Sequence, residues 1–72
     1  MGNKLIELGY VEVEPNVFVK KIDDVSSIKI WFNGNSIYSK IDCKLHGVPS
    51  YYFEAINNIR EQNVKEMKKW KD

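Results

Sequence analysis

Cysteine, histidine and arginine are scarce in this sequence, which also has little proline and glycine. The 72 residues include one cysteine, one histidine, two prolines and four glycines. A single cysteine excludes a disulfide within the chain, and no N-terminal apolar run of the signal-peptide kind is present, so we expect a reducing cytoplasmic setting. No stretch approaches the roughly 20 apolar residues that a membrane-spanning helix needs, which predicts a soluble protein with no membrane partner.

The chain also lacks an excess of charge of either sign. Eleven basic and ten acidic side chains give a net charge of +1. Such a chain has no overall field that would collect phosphate backbones, which disfavours nucleic acid as the partner without excluding it. The length allows one small domain over residues 1–72, with a core that buries roughly 60% of the surface exposed by the unfolded chain.

The hydrophobic periodicity changes along the chain from that of strands to that of a helix. A helical turn is predicted over residues 4–8, strands over 10–14, 17–22, 27–32 and 36–42, and a helix from 51 to about 69. Gly9 is placed to end the first turn in a left-handed conformation, and Asn33 and Gly34 favour a tight hairpin. We therefore predict an α+β fold in which a four-stranded antiparallel meander is covered on one face by a long C-terminal amphipathic helix.

Alternation along the strands predicts which side chains share a face of the sheet. If residues 14–16 form a three-residue loop, one face carries Val11, Val13, Val17, Val19, Ile28, Ile30, Phe32, Ile37 and Ile41. The other face then carries Tyr10, Glu12, Phe18, Lys20, Lys29, Trp31, Tyr38 and Lys40. A two-residue turn in the first hairpin would instead reverse that strand.

No group of residues predicts catalysis or metal binding. Cys43 and His46 are spaced as in some zinc sites, but two ligands do not complete a structural site, which normally takes four. Cys43 could act as a nucleophile with His46 as its base, but the sequence shows no group to orient the base and no oxyanion donor. Asp23 and Asp24 lie in a turn, where carboxylates usually bond to the backbone. We expect no enzyme activity, no metal and no cofactor.

The predicted candidate site is the sheet face that the helix leaves uncovered. Phe18, Trp31 and Tyr38 are expected to lie side by side there, interleaved with Lys20, Lys29 and Lys40. Three interpretations remain open: cross-strand packing beneath the N-terminal turn, a protein-binding surface, or a platform on which bases of single-stranded nucleic acid stack.

A second candidate is the end of the long helix. About 19 helical residues span roughly 28 Å, whereas a six-residue strand spans about 20 Å, so the helix is expected to outrun the sheet. Met67 and Trp70 would then extend beyond the core. They would join a homodimer, bind another protein, or pack back on Leu5 and Leu8.

Three segments carry a resemblance in layout: residues 5–10 (LIELGY), residues 17–21 (VFVKK) and residues 53–57 (FEAIN). Together they resemble small uncharacterised proteins carried by phages and prophages of low-GC Gram-positive bacteria. That resemblance implies an accessory role, in which the chain binds a host or phage protein. The leading prediction is a non-enzymatic protein-interaction module, with a nucleic-acid-binding module as the alternative.

Overall fold

The computed structural model describes residues 2–69 and has the predicted α+β architecture. Its elements are α1 (Gly2–Glu7), β1 (Val11–Glu14), β2 (Val17–Lys21), β3 (Ser26–Asn33), β4 (Ser36–Cys43) and α2 (Ser50–Lys69). The strands form one antiparallel sheet in the order β1-β2-β3-β4, and α2 packs on it through β4 and β3. The predicted meander and its covering helix are therefore confirmed.

Local backbone preferences explain where the elements end. Gly9 has a φ of 97°, and the N–H of Tyr10 bonds to the carbonyl of Leu5 at 2.9 Å, which closes α1 as predicted. Gly34 has a φ of 63° in the turn between β3 and β4. Pro49 precedes α2, and its carbonyl accepts the N–H of Phe53 at 3.3 Å.

The core lies between one face of the sheet and the two helices. Its buried apolar side chains come from both helices, from β2 and β3, and from the residue that precedes β1: Leu5, Tyr10, Phe18, Ile28, Ile30, Ile56 and Met67. A buried hydrogen bond of 2.7 Å from the hydroxyl of Tyr10 to Oδ1 of Asn63 joins the first strand region to α2. Because buried polar groups need partners, this bond fixes how α2 lies on the sheet.

The first hairpin lies on the sheet with its two faces exchanged relative to the prediction. Within the hairpin, Val11 does pair with Val19. However, Phe18 pairs with Ile30 across β2 and β3, so Phe18 joins the core face, while Val17 and Val19 lie on the opposite face. Glu14 pairs with Val17 across a two-residue turn, and the register shifts between residues 12 and 14.

The connection between β2 and β3 sets this relative orientation. Lys21 pairs with Ser27, and Oδ1 of Asp23 accepts the backbone N–H groups of Val25 and Ser26 at 2.9 and 2.8 Å. The interpretation of Asp23 as a backbone-bonding turn residue is confirmed. A connection one residue longer or shorter would bring the other face of β2 to the core.

The predicted overhang of α2 is wrong for Met67, which is 0% exposed and lies in one core cluster with Leu5, so the alternative in which it packs back on the N-terminal turn is the one that the structure supports. α1 extends the core layer beneath this part of α2, since Leu5 belongs to the same cluster and Lys4 forms an ion pair with Glu66 at 4.0 Å. Trp70, the other residue predicted there, lies outside the described residues.

Within residues 2–69, no helix is both long enough and apolar enough to span a lipid bilayer.

Candidate functional site

The sheet face turned away from both helices, here called the open face, carries a row that contains two aromatic side chains. Val17 pairs with Trp31 across β2 and β3, and Trp31 pairs with Tyr38 across β3 and β4. Residues directly opposite each other project from the same face. These three residues, here called the aromatic row, therefore cross three strands side by side.

The next row on the open face, here called the lysine row, combines aliphatic and basic side chains. Val19 pairs with Lys29, and Lys29 pairs with Lys40. Val11 continues the row at the edge of the sheet, because it pairs with Val19. The open face thus has an aliphatic side over β1 and β2 and a basic side over β3 and β4.

The aromatic side chains interact closely with each other and with a lysine. The rings of Trp31 and Tyr38 are stacked with centroids 5.7 Å apart and an interplanar angle of 21°. Nζ of Lys29 lies 5.6 Å from the Trp31 ring centroid. Such contacts are worth about 0.5–1.5 kcal/mol for the aromatic pair and about 0.5–1 kcal/mol for an exposed cation over a ring. They hold Trp31 in place on the face.

Exposure defines an apolar patch with a charged border. Val11 is 63% exposed and Tyr38 is 44% exposed, while Val17, Val19 and Trp31 are half-buried. These five residues are called the open-face patch. At its border, Nζ of Lys40 forms an ion pair with Asp42 at 3.7 Å. An apolar patch with a polar rim is the usual anatomy of a protein-binding surface.

Four residues predicted for this face lie on the opposite one: Tyr10, Glu12, Phe18 and Lys20. Phe18 is 3% exposed and meets Phe32 edge to face at 5.9 Å, with an interplanar angle of 74°. Nζ of Lys20 donates to the carbonyl of Leu8 at 2.9 Å and lies 6.0 Å from the Tyr10 ring centroid. The prediction that Phe18 and Lys20 belong to the exposed surface is therefore wrong, because β2 turns that face to the core.

The remaining predicted residues of the face are where the sequence placed them. Trp31, Tyr38, Lys29 and Lys40 share the open face. Sequence reasoning missed the three valines of the patch, because it assigned them to the core. The usable signal was the turn chemistry of Asp23, whose backbone bonds set the length of the connection before β3.

A small hydrogen-bonded cluster lies at the core-face end of the β2–β3 connection. The hydroxyl of Tyr52 donates to Oδ2 of Asp23 and is 2.7 Å from Oγ of Ser26. The bond from Tyr52, together with the N–H of Val25, lowers the pKa of the Asp23 carboxyl, and the same carboxylate raises the pKa of Tyr52. Asp23 therefore stays ionised and anchors the turn to α2.

Cys43 and His46 lie at the end of β4 and in the loop that follows it. Sγ of Cys43 approaches the carbonyl of Leu45 at 3.5 Å, and His46 is exposed in the loop that precedes α2. Over residues 2–69, the structure has no group of three or more histidine, cysteine or acidic side chains arranged to hold a metal ion. The open face is the candidate functional site.

Comparisons with known proteins return no match for this chain, whether with protein-family models, curated proteins or solved structures.

Proposed function

We propose that the protein is a non-enzymatic interaction module that binds another protein through the open face of its sheet. The observation that carries the proposal is the open-face patch, in which Val11 and Tyr38 remain 63% and 44% exposed while the fold buries a separate core. Apolar side chains that the fold leaves in water, on a rigid sheet, favour association because a partner can remove them from water at little cost in ordering.

The composition of the patch favours a protein partner over a nucleic acid. Protein interfaces are enriched in tyrosine and tryptophan, and they commonly include aliphatic surface. Nucleic-acid platforms instead need ring faces on which bases can stack. One face of Trp31 is directed to Tyr38, and Lys29 also lies against this ring. Three valines beside these rings offer an aliphatic surface that suits apolar protein side chains.

The charges next to the patch indicate what the partner would present. Lys29 and Lys40 lie adjacent on the open face, and of the two only Lys40 forms an ion pair within residues 2–69, with Asp42. A partner with apolar side chains over the valines and a carboxylate near Lys29 would match this distribution. The resemblance in layout to phage and prophage proteins supports a partner among host or phage proteins.

Matched substitutions on the two sides of the molecule test this proposal. Tyr38→Lys places a charge in the patch, whereas Tyr51→Lys makes the same change on α2, where Tyr51 is 75% exposed. Each protein is immobilised and incubated with a lysate of the source cells, and the bound proteins are identified by mass spectrometry. We expect a protein that is retained by the parent and by Tyr51→Lys but lost from Tyr38→Lys. Equal retention by both variants would contradict the proposal.

The second candidate function is binding of single-stranded nucleic acid, and the adjacent Lys29 and Lys40 beside Trp31 are the observation that favours it. Trp70→Phe leaves Trp31 as the only tryptophan, so its fluorescence reports the open face directly. Quenching by short oligonucleotides that weakens steeply with salt would support this candidate. No quenching at low salt would exclude it.

A further inference from the structure

The two edges of the sheet differ in how well they are protected against pairing. β1 has four residues and an irregular register with β2, and such irregularity discourages further strand pairing. β4 has eight residues in unbroken register with β3 from Ser36 to Cys43. In the described part of the chain, no strand lies beyond β4. β4 is therefore the long, regular edge of the sheet.

The hydrogen bonds of neighbouring strands show which backbone groups β4 directs outward. The N–H of Lys44 bonds to the carbonyl of Val25 at 2.8 Å, and these residues continue the β3–β4 register. Hydrogen-bonded and non-hydrogen-bonded pairs alternate along an antiparallel pair of strands, so even-numbered β4 residues direct their backbone N–H and C=O groups toward β3. The backbone N–H and C=O groups of the odd-numbered residues consequently point away from the sheet. There they can form hydrogen bonds with another strand. These residues are Ile37, Ser39, Ile41 and Cys43.

The side chains of β4 are also less covered than those of its neighbour. Ile28 is 0% exposed in β3, but Ile41, which pairs with it on the core face, is only partly buried. No residue of β4 is fully buried. An additional strand beyond β4 would complete the burial of this side of the core.

Apolar groups flank the same edge. Nη1 of Arg60 donates to Oγ of Ser39 at 2.7 Å, which identifies the side of α2 that lies over β4. Phe53 lies two turns before Arg60 on that side of the helix and is 47% exposed. Leu45, two residues after β4, is 55% exposed. The edge thus combines unpaired backbone with uncovered apolar side chains.

We propose that two copies of the chain pair through β4, antiparallel about a two-fold axis at Ile41, to form one continuous sheet. In this register Lys40 lies opposite Asp42 of the partner subunit, and the two-fold axis creates this pair twice. Ile37 lies opposite Leu45 of the partner subunit. A register centred on Lys40 would oppose two lysines, which is unfavourable. The self-complementary charge pattern is the reason for choosing a second copy over another partner.

The dimer goes beyond the proposed function because it uses the edge of the sheet and leaves the open-face patch uncovered. The joined sheet would present two copies of the aromatic row on one continuous face. A bivalent surface of this kind would bind a repeated or dimeric partner more strongly than a single domain does.

Light scattering across a concentration series tests the dimer, which should have twice the chain mass of 8.5 kDa. Asp42→Lys opposes lysines at both positions and should raise the dimer dissociation constant by at least about tenfold. Lys40→Asp combined with Asp42→Lys restores opposite charges and should restore the dimer. Asp24→Lys, the same change at an exposed turn residue, should have no effect. Circular dichroism checks that each variant is folded.

Cross-linking tests the register. In a Cys43→Ser background, Ile41→Cys places a thiol at the two-fold axis and should give a covalent dimer on oxidation. Ser39→Cys in the same background should not, because residues about four positions apart along paired strands lie beyond disulfide reach. A monomer at every concentration, a dimer indifferent to Asp42→Lys, or cross-linking at position 39 in place of position 41 would overturn the proposal.

Discussion

Removing the hydroxyl of Tyr10 tests whether its buried bond to Asn63 stabilises the fold. Tyr10 is 2% exposed and Asn63 is 8% exposed, and the bond joins residues 53 positions apart. Tyr10→Phe leaves Oδ1 of Asn63 buried without its donor, which costs about 1–3 kcal/mol. For a domain whose core supplies about 3–5 kcal/mol, that is a large share of the free energy of unfolding.

Urea and thermal unfolding measure this loss directly. Each kcal/mol should lower the melting midpoint of a domain of this size by about 4–8 °C. Tyr51→Phe is the matched control, because Tyr51 is 75% exposed and the change should be near neutral. Combining Tyr10→Phe with Asn63→Leu removes both polar groups and should recover part of the loss, since neither partner is then left unsatisfied.

The burial of Tyr10 also predicts how stability responds to alkali. Burial raises the pKa of Tyr10 from 10.0 to about 12. The folded state therefore favours the protonated hydroxyl, and this contribution is complete below pH 10 and is lost as the pH rises through 12. Two pKa units correspond to roughly 3 kcal/mol. The stability difference between the parent and Tyr10→Phe should shrink by about this amount between pH 10 and pH 12. A difference that stays constant over this range would show that the fold does not favour the protonated Tyr10 hydroxyl.

Three further substitutions test other parts of the fold. Asp23→Asn should flatten the acid-unfolding curve, because the lowered pKa of Asp23 gives stability that is present above its ordinary value of 3.8 and lost as the pH falls through its folded value. Met67→Ala should cost about 2–5 kcal/mol in urea unfolding, whereas an overhanging methionine would cost almost nothing. Asn16 has a φ of 65°, so Asn16→Val should cost about 1–2 kcal/mol in thermal unfolding and Asn16→Gly little.

Local signals were sufficient to predict the helices, the strands and the β3–β4 hairpin. Asn33 and Gly34 specify a tight turn between β3 and β4, and a tight turn fixes which side chains are opposite. Trp31 and Tyr38 were therefore placed on one face correctly. The C-terminal end of α1 followed in the same way from Gly9, whose left-handed conformation requires no favourable contact elsewhere in the chain.

The errors arose where hydrophobic periodicity alone does not determine the result. Phe18 could be placed in the core only by knowing the length of the connection after β2, and hydrophobic alternation does not encode that length. Met67 is buried because α1 widens the layer beneath α2, a tertiary effect that helix length alone does not show. Both errors moved core residues to the surface, and correcting them leaves Trp31 and Tyr38 as the aromatic part of the site.

Site-specific photo-cross-linking tests the central claim, that the open face binds a protein partner, most directly. A photoreactive amino acid is introduced at position 38, in the open-face patch, or at position 51 on α2, and the protein is irradiated in the source cells. Val11→Lys is added to the first protein as a competing change within the patch. If the open face binds the partner, position 38 should give a defined cross-linked protein that disappears with Val11→Lys and is absent from position 51. Equal cross-linking from both positions, or a product from position 38 that Val11→Lys leaves unchanged, would contradict it.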